Sequence, residues 1–144
     1  MYALSHLVRR AATTRRHEGT TGATNYDRLT RQRSKVPAMV PTISLNEFIE
    51  LYADDVTLID VREPHEYVEA HVPGAILAPL SELPRHLPTI PHQGTVYVIC
   101  RSGRRSLSGA EAMAAHGITA VSVDDGTMGW INAGQEVVTG TAAR

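Results

Sequence analysis

The stretch Val96-Tyr97-Val98-Ile99-Cys100-Arg101-Ser102-Gly103-Arg104-Arg105-Ser106 constrains the fold more than any other part of the chain. Val96 to Ile99 are β-branched or aromatic without a break, which suits a strand covered on both faces. Ser102 and Gly103 interrupt the run. A helical pattern starts at Arg104, with Leu107, Ala110 and Ala114 on one face and Gly117 as the residue that closes it. Cys100 is therefore expected at the carboxyl end of a buried strand, just ahead of a helix N-terminus. Unpaired backbone N–H groups and the positive end of the helix dipole favour negative charge there. A thiol so placed ionises more readily, and the thiolate is the nucleophile. Arg101, Arg104 and Arg105 crowd the same place. Cations oppose the dipole at a helix start, so this cluster points to an anion or a thiolate that it stabilises.

The segments before and after repeat the strand-then-helix order. Thr42-Ile43 makes a short edge strand. Ser44-Leu45-Asn46-Glu47 is a capping box opening a helix that buries Leu45, Phe48, Ile49 and Tyr52. Val56 to Arg62 reads as a buried strand, and Glu63-Pro64 starts the next helix with proline at its first position. His71-Val72-Pro73-Gly74 is a turn leading to a short strand, Ala75 to Ala78. Leu80 to Leu83 opens a short helix or turn that Pro84, Pro88 and Pro91 keep short. Ile118 to Val123 is a further strand, and the helix carrying Trp130 ends near Gly134. Strands alternating with helices through short turns predict a mostly parallel sheet of about five strands with helices on both faces.

The chain has 144 residues, enough for one domain with a core, and a single cysteine. That count excludes an internal disulfide, a multi-cysteine metal site and an internal resolving thiol, so any group formed on Cys100 must leave to another molecule. No run of 18 apolar residues occurs, and no membrane partner is expected. Residues 1–38 carry eight basic and two acidic residues, against six and thirteen in the remainder. This first segment lacks periodicity and is expected to be mostly disordered. It reads as a solvated tail from a start site set too far upstream, with Met39 the true beginning and a cytoplasmic location, or as an organelle transit peptide with a mitochondrial one. Aromatic residues are few there, so no nucleic-acid partner is expected. The ordered domain is expected over residues 41–138, with 139–144 frayed.

Several segments together resemble the rhodanese (sulfurtransferase) family. Its active-site loop has a cysteine first, a glycine in the middle and six positions in all; here it runs from Cys100 to Arg105. Asp60-Val61-Arg62 followed by Glu66-Tyr67 resembles the family's aspartate, valine, arginine, glutamate and aromatic pattern. His71 to Ala75 resembles its histidine, aliphatic, proline, glycine, alanine turn. The family usually has two glycines before a small residue and tryptophan. Here Asp125 replaces the first, at a place where aspartate tolerates a left-handed backbone less freely than glycine. The resemblance covers about residues 42–138 and implies the rhodanese-like α/β fold as one domain.

It also implies sulfur transfer through a persulfide on Cys100, from thiosulfate or another sulfane donor to cyanide, a small thiol or a protein thiol. No metal or organic cofactor is implied. On this reading the loop amides of Arg101, Ser102, Gly103, Arg104 and Arg105 surround the terminal sulfur. Arg101 and Arg104 contact an anionic donor, and Arg105 holds the loop through Asp60 or a carbonyl. Asp60 and Arg62 form a mutual salt bridge, brace the loop from the sheet edge, or do both. His71 is a base for Cys100 or a turn histidine bonded to backbone. Trp130 is a packing anchor or shields the cysteine. His65, His86, His92 and His116 lack metal-ligand spacing. Cysteine-dependent phosphatases have a loop one residue longer and usually histidine before the cysteine, where Ile99 stands, so phosphatase and arsenate-reductase activities rank below sulfur transfer. The competing roles are a persulfide carrier or regulatory binding module, and a structural domain with an inert cysteine.

Overall fold

The computed structural model describes residues 39–144, so the expectations for residues 1–38 lie outside the described residues. The strand β1 (Thr42–Ile43) leads into helix α1 (Leu45–Leu51). Ser44 Oγ accepts from the Glu47 N–H at 3.3 Å and the Glu47 carboxylate accepts from the Ser44 N–H at 3.3 Å, the reciprocal capping that the sequence predicts. Strand β2 (Thr57–Asp60) is followed by α2 (Pro64–Glu69), and β3 (Ile76–Leu77) follows the Pro73-Gly74 turn. Proline keeps residues 80–89 to two 3₁₀ turns around the single-turn α3 (Leu83–His86). Strand β4 (Thr95–Ile99), α4 (Arg104–Ala115), β5 (Thr119–Val123) and α5 (Gly126–Asn132) complete the domain.

The five strands form one sheet in the order β1-β5-β4-β2-β3, with every neighbouring pair parallel. Side chains alternate between its two faces. On one face Ile59, Val61, Val96, Val98, Cys100 and Ala120 pack with Ala110 and Met113 of α4 and with Leu83, Leu87 and Ile90. On the other, Leu58, Ile99 and Val123 pack with Leu45 and Phe48 of α1, Tyr67 of α2 and Trp130 of α5. The α/β architecture and helices on both faces are as expected. The sheet directs the carboxyl ends of β2, β4 and β5 to one edge, where open α/β sheets hold their sites.

Three details differ from expectation. The strands are shorter than their apolar runs, because Val56 and Ile118 bond within local turns, to Ala53 O and Met113 O, rather than to a neighbouring strand. Helix α4 buries Ser106, Gly109, Ala110 and Met113, while Leu107 is exposed. Gly109 sets this rotation: a Cβ there would stand 3.1 Å from Val61 Cγ1, so the smallest side chain faces the sheet at closest approach. Residues 139–144 are not frayed. Val138 and His71 exchange two backbone hydrogen bonds of 2.9 Å, the Gly140 N–H donates to Val68 O at 2.8 Å, and the Gly74 N–H donates to Ala143 O at 2.7 Å. Arg144 pairs with Asp54 at 2.8 Å. The hydrogen bonds of Val138, Gly140 and Ala143 satisfy backbone groups of α2 and the α2–β3 connection. They use main chain, so Thr139-Gly140-Thr141-Ala142-Ala143-Arg144 carries no apolar pattern that announces them.

Candidate active site

Cys100 follows the last residue of β4 and is 1% exposed. The chain then turns over its own sulfur. The Gly103 N–H donates to Cys100 Sγ at 3.1 Å, and Ser106 Oγ lies 3.4 Å from Sγ. Gly103 reverses the chain into α4 at φ +107°, a left-handed conformation that a side chain would strain. As a thiol, Cys100 donates to Ser106; as a thiolate, it accepts from the Ser106 hydroxyl. Burial pushes the thiol up, but hydrogen bonds from the Ser106 hydroxyl and from the amides of Ser106, Gly103 and Ser102 outweigh it, and the net shift is downward. The strand-to-helix turn thus brings the Gly103 amide and the Ser106 hydroxyl to the sulfur.

The loop is clamped from α5. The Thr127 N–H donates to Cys100 O at 2.8 Å and the Met128 N–H to Arg101 O at 3.1 Å. These are first-turn amides of α5 with no partner inside their own helix. Asp125 enters that helix at φ 62°, so aspartate does hold the left-handed backbone where two glycines are usual. Gly126 follows at φ +55°, pressed directly on the carbonyls of Cys100 and Arg101.

A second clamp comes from β2 and α2. Asp60 is fully buried, and its carboxylate accepts from Arg62 Nε at 3.0 Å and NH2 at 2.8 Å. Arg62 also donates to the carbonyls of Glu66 and Ala70 at 3.3 and 2.8 Å, fixing α2 against the sheet edge. From α2, Glu66 makes a two-armed ion pair with Arg105, both contacts 2.7 Å. Arg105 is thus held by Glu66, not by Asp60 or a carbonyl. Asp60 and Arg62 brace the loop indirectly, through the helix they position. Glu66 is the residue the sequence reading missed as a site residue. Its signal was its place three residues after Glu63, whose N–H its carboxylate accepts at 2.9 Å, and its place in the family pattern.

Arg105 hydrogen-bonding holds the Glu66 carboxyl at about 2, below its ordinary 4.5. The folded state therefore binds this proton less readily than the unfolded chain. The stabilisation is complete above about 4.5 and lost as pH falls through about 2. Glu66→Gln is expected to cost about 1–2 kcal/mol at neutral pH, because the pair is partly exposed and screened. The gap between mutant and wild-type melting curves should close on acidification, as thermal melts across that range will read.

The other expected residues fall as follows. Arg101 and Arg104 are exposed, and neither makes an ion pair among the described residues. Arg101 lines a cleft of about 160 Å³ with Arg62, Glu66, Glu69, Thr127, Met128 and Ile131, and Arg104 does not line it. His71 is fully buried. Its ring stacks on Tyr67 at 3.6 Å, and its nitrogens lie 2.7 and 2.8 Å from the carbonyls of Tyr67 and Ala142. Those contacts tie α2 to the chain's end, so the turn-histidine reading describes it and the ring is not directed at Cys100. Trp130 packs against Phe48 and Tyr52, with its indole N–H donating to Glu136 O at 2.7 Å. It lies in the core on the sheet face opposite Cys100, an anchor rather than a shield.

Comparison with known proteins agrees with this geometry. The Rhodanese-like domain family matches residues 44–133. The chain is 36% identical over 100 residues to the "Putative sulfur carrier protein YrkF" of Bacillus subtilis, covering 67% of this chain but only 54% of that one. It is 30% identical to a protein named sulfurtransferase from Allochromatium vinosum, covering 69% of this chain and 96% of that one. Among solved structures, a rhodanese-like domain protein from Staphylococcus aureus aligns with a TM-score of 0.63 at 28% identity, over 71% of this chain and 100% of the other. Relatives of these names support sulfur transfer in general. With its family match, its parallel sheet and its cysteine loop at the carboxyl edge, the chain belongs to the rhodanese-like domain family.

Proposed function

We propose that this protein is a thiosulfate-type sulfurtransferase working through a persulfide on Cys100. The observation that carries the reading is the buried Sγ accepting the Gly103 N–H, with Ser106 Oγ 3.4 Å away, in a loop flanked by the Arg101 cleft. The Cys100 thiolate attacks the outer, sulfane sulfur of thiosulfate. The new S–S bond forms as the old one breaks, and sulfite leaves with the electron pair. The persulfide's terminal sulfur carries the remaining negative charge, which loop amides aimed at it stabilise without reorganising. A second nucleophile, cyanide or a thiolate, attacks that terminal sulfur. Thiocyanate or a new persulfide departs, and the Cys100 thiolate is restored.

Arg101 is unpaired among the described residues and lines the cleft, so it is the group to attract the dianionic donor. The Thr127 hydroxyl is buried without a hydrogen-bond partner among the described residues, and Thr127 lines the same cleft. A bound anion would supply that partner. Arg101→Ala is expected to raise KM for thiosulfate about fivefold or more with a smaller change in kcat, the mark of lost donor binding. Thiocyanate formation from thiosulfate and cyanide measures both constants. An unchanged KM would remove Arg101 from the donor site, and no thiocyanate from the wild type would remove thiosulfate.

A second reading, persulfide carriage to or from a protein thiol, has its own support. Val68, Met128 and Ile131 are exposed apolar side chains on the two helices flanking the loop, and Met128 and Ile131 line its cleft. Slow loading by thiosulfate with fast exchange against a protein persulfide would favour this carrier over the free enzyme.

A further inference from the structure

Behind Cys100 lies a polar group that the proposed mechanism does not use. Ser122 on β5 is fully buried, and its Oγ lies 2.9 Å from Ser106 Oγ. Ser106, also fully buried, lies 3.4 Å from Cys100 Sγ. The alternation of β5 puts Ser122 on the same sheet face as Ala120, which packs beside Cys100 under α4. Among the described residues, Ser122 Oγ has no other hydrogen-bond partner. A hydroxyl in the middle of an apolar sheet face is costly unless its bond is needed.

We propose that Ser122 is a positioning residue for Cys100, acting through Ser106. This rests on the sulfurtransferase reading for its purpose, but not for its geometry. The order of the two hydroxyls follows from counting protons. When Cys100 is a thiolate, Ser106 has one proton and gives it to Sγ. Ser106 Oγ is then free to accept, and Ser122 donates to it. Both hydroxyl protons are used across both gaps. When Cys100 is a thiol, three protons share the same two gaps, and one is left buried without an acceptor. The pair of serines therefore fits the thiolate. The bond from Ser122 also polarises the Ser106 O–H and holds its rotamer so that the proton points at sulfur.

On the sheet side, the side chains clustered with Cys100 include Val98, Ala110 and Ala120, all apolar. The charged groups around the loop are Arg101, Arg104 and Arg105, Glu66 of α2, which pairs with Arg105, the buried Asp60–Arg62 pair at the end of β2, beside Ile99 in register, and Asp124 and Asp125, whose backbone lies against Gly103. None of them contacts Ser122 by hydrogen bond.

The test is the pH dependence of Cys100 alkylation by iodoacetamide, since this is the chain's only thiol. In Ser122→Ala the midpoint should move upward. The thiolate fraction on the rising limb should fall about three- to tenfold, the weight of one hydrogen bond, while the rate at the high-pH plateau stays the same. Ser122→Thr keeps the hydroxyl and should return the wild-type midpoint at an unchanged melting temperature. In a Ser106→Ala background, Ser122→Ala should move the midpoint no further, because the path through Ser106 is already cut. A midpoint in Ser122→Ala equal to wild type, or an equal shift with and without Ser106, overturns the proposal. Alkylation needs no sulfur donor. A wild type that makes no thiocyanate therefore rejects the sulfurtransferase reading and leaves the midpoint comparison to judge Ser122.

Discussion

Gly126→Ala should be the most damaging single-methyl change in the domain. A Cβ at Gly126 would stand well inside 3.0 Å of the carbonyl oxygens of both Cys100 and Arg101, and these are backbone atoms that cannot swing aside. The position also has φ +55°, which costs any L side chain about 1–2 kcal/mol by itself. Clash and conformation together should cost about 3–5 kcal/mol, or roughly 10–20 °C in a domain of this size. Thiosulfate turnover should fall about tenfold or more in whatever remains folded. The displaced carbonyls are those that the Thr127 and Met128 amides hold, and the Cys100 loop moves with them. Gly134→Ala separates the two causes. Gly134 has φ +73° but nothing within 4 Å of its Cβ position, so it should show the conformational cost alone, near 1 kcal/mol. Equal melting temperatures for the two variants would mean that the contact between α5 and the loop is not what makes Gly126 special.

Cys100→Ser tests the chemistry at unchanged architecture. A serine Oγ can still accept the Gly103 N–H and bond Ser106, and the volume change at this buried position is small. Its melting temperature should stay within a few degrees of wild type. Its thiocyanate production should drop by about three orders of magnitude or more, since a hydroxyl in this loop neither ionises near neutral pH nor forms a persulfide. Full activity in this variant would end the assignment of Cys100 as nucleophile.

Much of this arrangement could be read along the chain because it is local. The strand, the cysteine and the helix start lie within eleven residues, and strand-loop-helix geometry alone puts Sγ under a crown of amides. The Ser44–Glu47 capping box and Pro64 at its helix start are likewise local, and both appear in the fold. Contacts made across the fold were harder to read. Arg105 reaches Glu66, 39 positions away in sequence, where Asp60 or a carbonyl had been the expected partner. The choice depended on how Arg62 docks α2. Ser122 looks like an ordinary strand residue until β5 is set beside β4 and α4 above both. The buried face of α4 turned on Gly109, where absence of a side chain, not apolar periodicity, decided which residues face inward. The tether of residues 139–144 uses backbone groups and the His71 ring, neither of which has a hydrophobic signature.

The most direct test of the account is intact-protein mass spectrometry of purified wild type and Cys100→Ser, recorded before thiosulfate, after thiosulfate, and after subsequent cyanide. The account predicts that wild type alone gains the mass of one sulfur atom and then loses it to cyanide as thiocyanate, while Cys100→Ser stays at its starting mass throughout. A sulfur adduct of equal occupancy on Cys100→Ser, or a wild type that no thiosulfate or protein persulfide can load, would contradict it.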